Sequence, residues 1–521
     1  MMLHDCAQYH QTRLKGESID AWWLKATLYQ IFVRSFRDSN GDGIGDLNGV
    51  TSNLDYIKKL GATALWLNPI FPSPSYHGYN ATDFRRIDPQ LGDLRDFDRL
   101  IAEAHHRHIR VILDLALNHT SAQNPWFQSV LKDPKSPFRD FYVLSDHDPK
   151  WPGRRLWYPA PGNPGLFYYS YFGADFPELN WRNPRVLTEA ENIMRFWAKR
   201  GVDGFRFDAI RHLVDGPHGE LNTPENHEVI QHFAGDLKRE FPQLYFLGEV
   251  RWNNTHASSY VNSGKEMDQA FPYPLALALR DAVRSDNPGP MLCALRETLS
   301  LWKRSSSWAP FLSNHDLDRL ASVVGGDSAK LKMAAGLLLT LPGTPIVYYG
   351  EEIGMKDSEI DGDDPDPGRR NPMRWNEGDN AGFSSAPPWE GISNQSTEVS
   401  VAAEEKNPDS LLSTYRQLIH LRSAHPALQQ GSLQLLDSPQ SKVIAYLRKA
   451  GKEELLVLAN FGDKSVENYS IGLNSSLPAS PSASVSSIFG PGTVGRLDKA
   501  NFRINRLMPH AVTIFSLGAG T

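Results

Sequence analysis

The chain has 521 residues, 40% hydrophobic and 22% charged, the make-up of a globular protein long enough for two or three domains with a large core. A formal net charge of -6 and no long Lys/Arg run argue against nucleic acid or an anionic membrane surface as partner. No window reaches the length of a membrane span, the N-terminus lacks the apolar run of a secretory signal, and Cys6 and Cys293 give neither a disulfide framework nor metal-ligand spacing, so the expectation is a cytoplasmic protein.

Short apolar runs rich in β-branched and aromatic residues recur at Leu28–Phe32, Ala64–Leu67, Val111–Leu117, Val202–Asp208, Tyr245–Val250, Phe311–Asn314 and Pro345–Tyr349, with a weaker run at Ala270–Tyr273. Between them, segments such as Asp93–His106 and Pro184–Lys199 carry apolar residues at helical spacing. Eightfold alternation of strand and helix predicts an α/β fold, a (β/α)8 TIM barrel over residues 1–119 and 179–428. The Pro-, Gly- and aromatic-rich stretch 120–178, which contains WPGRRLWYPAPGNPGLFYYSYFGADF, is too long for a barrel loop and predicts an inserted domain after strand 3. A second polar, turn-rich excursion runs from Glu351 to about Ser410.

After the helical Leu411–Arg422, strand-like runs at Leu433–Leu436, Lys442–Arg448, Glu454–Asn460, Ala483–Phe489 and Ala511–Leu517 predict a C-terminal antiparallel β-sandwich over 429–521. The run His105–His108 lies at a helix end away from the strand C-termini and reads as solvated surface. The acidic run Asp361–Asp364 reads as a solvated loop, and Trp22 and Trp23 as packing against the barrel.

In Val202–Asp208, apolar and charged residues alternate, so Arg206 and Asp208 share one strand face while Phe205 and Phe207 turn to the other. A buried charge is costly without a partner, and here the partner is two residues away. Barrel active sites lie at the C-terminal ends of the strands. Those ends carry Asp114, Asn118 and His119, then Arg206 and Asp208, then Glu249, then Asn314, His315 and Asp316. Asp114 shares a strand face with Asn118 and is placed to be a second partner for Arg206. With Asp114 set aside as that partner, three carboxylates (Asp208, Glu249 and Asp316), two His and an Arg converging at one mouth predict a catalytic site. Paired carboxylates suit glycoside cleavage, one attacking the anomeric carbon while the other gives and then takes a proton.

The segments LYQIFVRSFRDSNGDGIGDLNGV, ALWLNPI, YHGYNATDF, DLALNHT, FPELN, GFRFDAIRH, FLGEV, FLSNHD and GTPIVYYGEEIG, in that order along nearly the whole chain, resemble the α-amylase superfamily of glycoside hydrolases. The resemblance implies Asp208 as nucleophile, Glu249 as general acid/base and Asp316 as a third carboxylate that holds sugar hydroxyls. It further implies His119 and His315 as hydroxyl-binding residues, Arg206 as the group that orients the nucleophile, Tyr79 as the ring beneath the sugar, and Phe172 as an aromatic wall. Arg370, in RRNPMRW, matches the Arg of an RTPMQW-like motif.

Within the superfamily, FPELN is similar to the PDLN signature of the intermediate α-amylase and oligo-1,6-glucosidase groups, with Glu178 in place of the usual Asp. Relatives that cut α-1,6 bonds tend to carry Val after the nucleophile, where this chain has Ala209, and an acidic residue where it has Tyr76. The resemblance therefore implies retaining hydrolysis of α-1,4 bonds in maltooligosaccharides or starch-like α-glucans. A transglucosidase, a trehalose synthase-like isomerase or a sucrose-active enzyme shares the same catalytic set. A non-catalytic carbohydrate-binding relative is disfavoured, because all three carboxylates are present.

For metals, Asp38, Asn40, Asp42, Ile44 and Asp46 place oxygen donors at alternate positions around glycines, like the first part of a Ca²⁺ loop, although Gly49 stands where an EF-hand has its bidentate Glu. The alternative is an Asx-turn loop satisfied by its own backbone. A second structural calcium is implied by the resemblance at Asn118, Glu178 and His212.

Overall fold

The computed structural model describes residues 11–16, 20–150, 153–216, 219–251, 253–359, 364–396, 398–473, 483–498 and 500–518. Seven parallel strands are β1 (Leu28–Ile31), β2 (Ala64–Leu67), β3 (Arg110–Leu115), β4 (Gly204–Phe207), β5 (Tyr245–Gly248), β6 (Gln269–Ala270) and β7 (Ile346–Tyr348). They follow the order β6-β5-β4-β3-β2-β1-β7. The remaining stave is the segment from Trp308 to Phe311, held by parallel bridges Ala270↔Trp308 and Phe311↔Ile346, which close the barrel. Seven of the eight predicted strands form; of the predicted run Phe311–Asn314 only Phe311 pairs, because the bridging stave lies ahead of that run, at Trp308–Phe311.

The barrel has two apolar shells. Leu28, Ala64, Trp66, Ile112, Tyr245, Leu247, Phe311 and Ile346 fill the interior, while Phe205, Phe207 and Phe246 pack outward against the helices. The alternation predicted for β4 therefore holds: its two Phe residues face the helical shell, and Arg206 lies fully buried with its guanidinium 5.3 Å from the Trp66 ring centre. Helix α1 (Leu94–His106) begins at a capping box, in which Asp93 and Asp96 satisfy each other's backbone N–H groups. Helix α2 spans Pro184–Lys199, with Asn183 capping it and Pro at its first turn.

The insert leaves the barrel after β3 and returns beside its own departure point, where His119 and Glu178 form an antiparallel bridge. It carries a three-stranded sheet of Leu144–Ser145, Trp157–Ala160 and Asn163–Tyr169.

The five predicted C-terminal strands are present, and three more, Val466–Gly472, Val494–Asp498 and Asn501–Leu507, complete the antiparallel domain. Strand Ala483–Phe489 pairs with Val494–Leu497 through its first half and with Ile514–Phe515 through its second, beyond a bulge, so it joins the two leaves. Val443, Leu456, Leu458 and Phe515 from one leaf meet Tyr469, Ile471, Phe502 and Ile504 from the other. Arg13–Leu14, near the start of the described chain, adds a further strand by pairing with Leu433–Gln434.

Trp22 and Trp23 pack on Tyr245, with ring centres 5.6 and 5.4 Å apart, as the sequence suggested. His105 departs from the solvated reading: its Nε2 lies 2.7 Å from Asp203 Oδ2 at the N-terminal end of the barrel, where Arg110 Nη1 also donates to Asp203. Of the acidic run, Asp361 and Asp363 fall outside the described residues, whereas Asp364 borders the cleft. The disulfide reading needs correction: Cys293 is disulfide-bonded, and Cys6, with the rest of the first ten residues, lies outside the described residues. Among the described residues no helix is long and apolar enough to cross a membrane.

Candidate active site

A cavity of about 500 Å³ opens at the C-terminal ends of the barrel strands, roofed by the insert, within the size range of small-ligand sites. Asp208 and Glu249 enter it directly after β4 and β5, and Asp316 follows the bridging stave at Phe311. Tyr79, His119, Phe172, His315 and Arg370 line the same cavity, so the structure brings these predicted residues together.

Beneath them Arg206 acts as the electrostatic keystone. Its Nη1 donates to Asp114 Oδ1 at 2.8 Å and to Asp208 Oδ1 at 2.6 Å, and its Nη2 lies 3.0 Å from Glu249 Oε2. The expected second partner, Asp114, is therefore in place. Asp114 also accepts from Trp66 Nε1 (3.1 Å) and from the Tyr79 hydroxyl (3.0 Å), which fixes the ring at the floor of the cleft. Burial and the neighbouring carboxylates push Asp208 well above the usual carboxylate range against the pull of Arg206. Burial also raises Glu249, but Arg206 and Arg251 outweigh it and hold that carboxyl well below its ordinary value.

The two histidines are neutral, because burial pushes both His119 and His315 down to about 3. Gln30 Nε2 donates to His315 Nδ1 at 2.8 Å, so the ring proton sits on Nε2, facing the Tyr79 hydroxyl (2.6 Å) and Asp316 Oδ2 (3.2 Å). Arg370 Nε donates to the His315 carbonyl at 2.9 Å, and its Nη2 reaches Asp316 Oδ1 at 3.3 Å and Asp366 Oδ2 at 3.0 Å. Phe172 is 41% exposed and leans on His119 and His212, making one apolar wall of the roof. Tyr76 stacks on Trp389, and the Arg370 guanidinium lies 5.6 Å from the Tyr76 ring centre.

Three residues escaped the sequence reading. Arg251 Nε donates to Glu249 Oε1 at 2.7 Å, and its Nη2 donates to Asp316 Oδ2. The Tyr273 hydroxyl donates to Glu249 Oε1 at 3.2 Å. Asp215 accepts from the Tyr169 hydroxyl at 2.8 Å beside His212. Each follows a strand end or sits in a helix turn, where no periodicity says which way a side chain faces.

The two proposed calcium sets differ in kind. Asp38 accepts from the backbone N–H of Asn40, Gly41 and Gly43 and from the Ser384 hydroxyl, while Asp46 caps the following helix by accepting from Gly49 N. Asn40 Oδ1 accepts from Asp42 N, and Asp42 Oδ1 from Ile44 N. This is the self-satisfied Asx-turn arrangement. The donors are all oxygen, as a hard cation requires, but Asp38, Asp42 and Asp46 do not gather three carboxylate oxygens within 4.8 Å of one another. Among the described residues only Glu191, His232 and Asp236, on the outer helices, bring three carboxylate or imidazole ligand atoms that close together. At the second set, Asn118 Oδ1, His212 Nδ1 and Asp215 Oδ1 are buried without hydrogen-bond partners beside Glu178, whose carboxyl burial and Asp215 push well up. Buried lone-pair atoms left without a hydrogen bond suit a cation better than the satisfied oxygens of the first loop.

Comparison with known proteins follows the same lines. Residues 30–431 match the family model for the α-amylase catalytic domain, and residues 436–477 that for the α-amylase C-terminal all-β domain. The chain is 36% identical over 444 residues to "Alpha-amylase 3" of Dictyoglomus thermophilum, covering 85% of each. It is also 36% identical over 491 residues to a trehalose synthase of Thermus thermophilus, covering 84% of this chain and 50% of that one. The crystal structure of an α-amylase from H. orenii superposes with a TM-score of 0.81 at 33% identity, over 94% of this chain and 99% of that one. The chain belongs to the α-amylase family of glycoside hydrolases.

Proposed function

We propose that the protein hydrolyses α-1,4-glucosidic bonds of maltooligosaccharides or starch-like glucans with retention, through a covalent glucosyl-enzyme on Asp208. The observation that carries this reading is the triad of Asp208, Glu249 and Asp316 around one cleft, with Arg206 clamped to the first two from below. Arg206 keeps Asp208 oriented for attack on the anomeric carbon. Glu249 protonates the departing oxygen and then activates water, and Asp316 with neutral His315 and His119 holds ring hydroxyls. Tyr79, pinned by Asp114, offers its face to the sugar ring.

Ala209 and Tyr76 favour α-1,4 over α-1,6 cleavage. The D208N variant should stay folded and lose at least about 10³-fold in kcat on maltotriose, as expected when a covalent nucleophile is removed. The wild type should release glucose or maltose from maltotriose while leaving isomaltose nearly untouched. Faster isomaltose cleavage would overturn the linkage assignment.

The transfer reading, isomerase or transglucosidase, is supported by the similarity to a trehalose synthase. Incubation with maltose alone separates the two. Glucose as the sole product favours hydrolysis, whereas trehalose or longer oligosaccharides favour transfer.

We further propose a structural Ca²⁺ held at Asn118, Glu178 and His212 with Asp215 adjoining, whereas the Asp38–Asp46 loop, satisfied by its own backbone, needs no ion. The ion would pin the base of the insert and take no part in bond cleavage. EDTA dialysis should lower the Tm by several degrees and CaCl₂ restore it. An unchanged melting curve would remove this site.

A further inference from the structure

Of the three arginines that touch the carboxylate triad, Arg206 and Arg370 are 1% and 3% exposed, fixed from behind and from the side. Arg251 is different. Its side chain is 36% exposed, and it reaches in from the rim to lie across Glu249 and Asp316. It takes Glu249 Oε1, the same oxygen that Tyr273 addresses, and Asp316 Oδ2, the oxygen nearest His315 Nε2. Its only other polar tie among the described residues is through its backbone, where the carbonyl accepts from Arg211 Nη1 at 3.2 Å. The side chain is thus held by its charged end and stands partly open to solvent.

On the proposed reaction these two oxygens have other work. Glu249 must present a proton to the glycosidic oxygen, and Asp316 must accept hydroxyls of the sugar being cleaved. A carboxylate oxygen that accepts a charge-assisted bond from Arg251 cannot serve the sugar in the same direction. We propose that Arg251 is a gating residue that competes with the sugar for Glu249 and Asp316, swinging aside as the substrate enters and remaining on the leaving-group side of the cleft. The inference rests on the hydrolase reading and deepens it. Withdrawal of the guanidinium also removes one of the two positive charges that hold Glu249 ionised, so the acid gains its proton as the sugar takes its place. The net charge of the cluster is unchanged, since the proton gained by Glu249 replaces the positive charge that Arg251 withdraws, while Arg206 stays paired with Asp208 and Asp114 and Arg370 with Asp316.

Three variants test this, measured beside D208N on maltotriose. In R251A the KM should fall about tenfold, since the sugar no longer displaces a charge-assisted bond. The alkaline limb of kcat/KM should move up by roughly one pH unit as Glu249 holds its proton longer. R251M should do the same, and R251K should stay between them and the wild type. Guanidinium chloride at millimolar concentration should inhibit R251A competitively and leave the wild type unaffected. If D208N is inactive yet R251A and R251M keep the wild-type KM, pH limb and guanidinium insensitivity, the gate is refuted while the hydrolase stands. If D208N remains active, the hydrolase reading itself falls.

Discussion

Ala209, directly after Asp208, adopts φ +47° and ψ +35°, the left-handed region that side chains avoid. Its N–H donates to Glu249 Oε2 at 3.1 Å, so the strained turn ties the nucleophile's loop to the acid/base. A β-branched residue there should be worse than Ala: A209V is expected to cost about 1–2 kcal/mol in urea unfolding. A209G should lie within about 1 kcal/mol of wild type, because relief of strain and added freedom of the unfolded chain offset each other. At this scale the sequence is readable where chemistry follows strand alternation. Arg206, Asp208 and Asp114 fell on one face because a strand's period of two leaves no choice. Arg251 and Tyr273 were not legible, because they lie past the last paired residue of a strand or at a helix start.

Among the elements, the shortest staves carried the weakest signals. β6 has two residues, and the stave at Trp308–Phe311 is held by single bridges, so neither presents a long β-branched run. The three C-terminal strands missed from sequence, VENYSIG, VGRLD and NFRINRL, do alternate, with Tyr469, Ile471, Phe502 and Ile504 inward and exposed charged or polar residues between. Their apolar positions are few, and Gly495 interrupts one of them because the Phe502 ring occupies the place of a side chain. At the end of β7, Glu351 is buried and accepts from the Tyr415 hydroxyl at 2.9 Å, and burial pushes its carboxyl up to about 8. The folded chain therefore binds this proton more tightly than the unfolded chain, whose carboxyl titrates near 4.5. Its contribution to stability is full below about pH 4.5 and drains away as the pH rises to about 8. E351Q should flatten the fall in Tm between those limits. An equally steep fall in the variant would assign the dependence elsewhere.

For the molecule as a whole, helix α3 (Ser328–Thr340) has an exposed first turn but is buried continuously from Met333 to Thr340, because the barrel takes one side and the C-terminal domain the other. Arg448 reaches from that domain to the Thr340 carbonyl, and the Tyr446 hydroxyl meets Thr340 Oγ1 at 2.5 Å. A Cβ at Gly336 would approach Val512 Cβ to 2.8 Å, so the two domains touch where only glycine fits. G336V is expected to cost about 1–3 kcal/mol. Unfolding should stay a single transition, which calorimetry would check, because the helix belongs to both cores.

The pairing of Arg13–Leu14 with Leu433–Gln434 joins residues 421 positions apart. On the ribosome, at about 5–20 residues per second, the first strand waits roughly 20 to 85 seconds for its mate to emerge. During that interval its N–H and C=O groups stand open to other chains. Nascent-chain crowding, more than the finished enzyme's stability, is thus the stage at which this seam is vulnerable to mispairing.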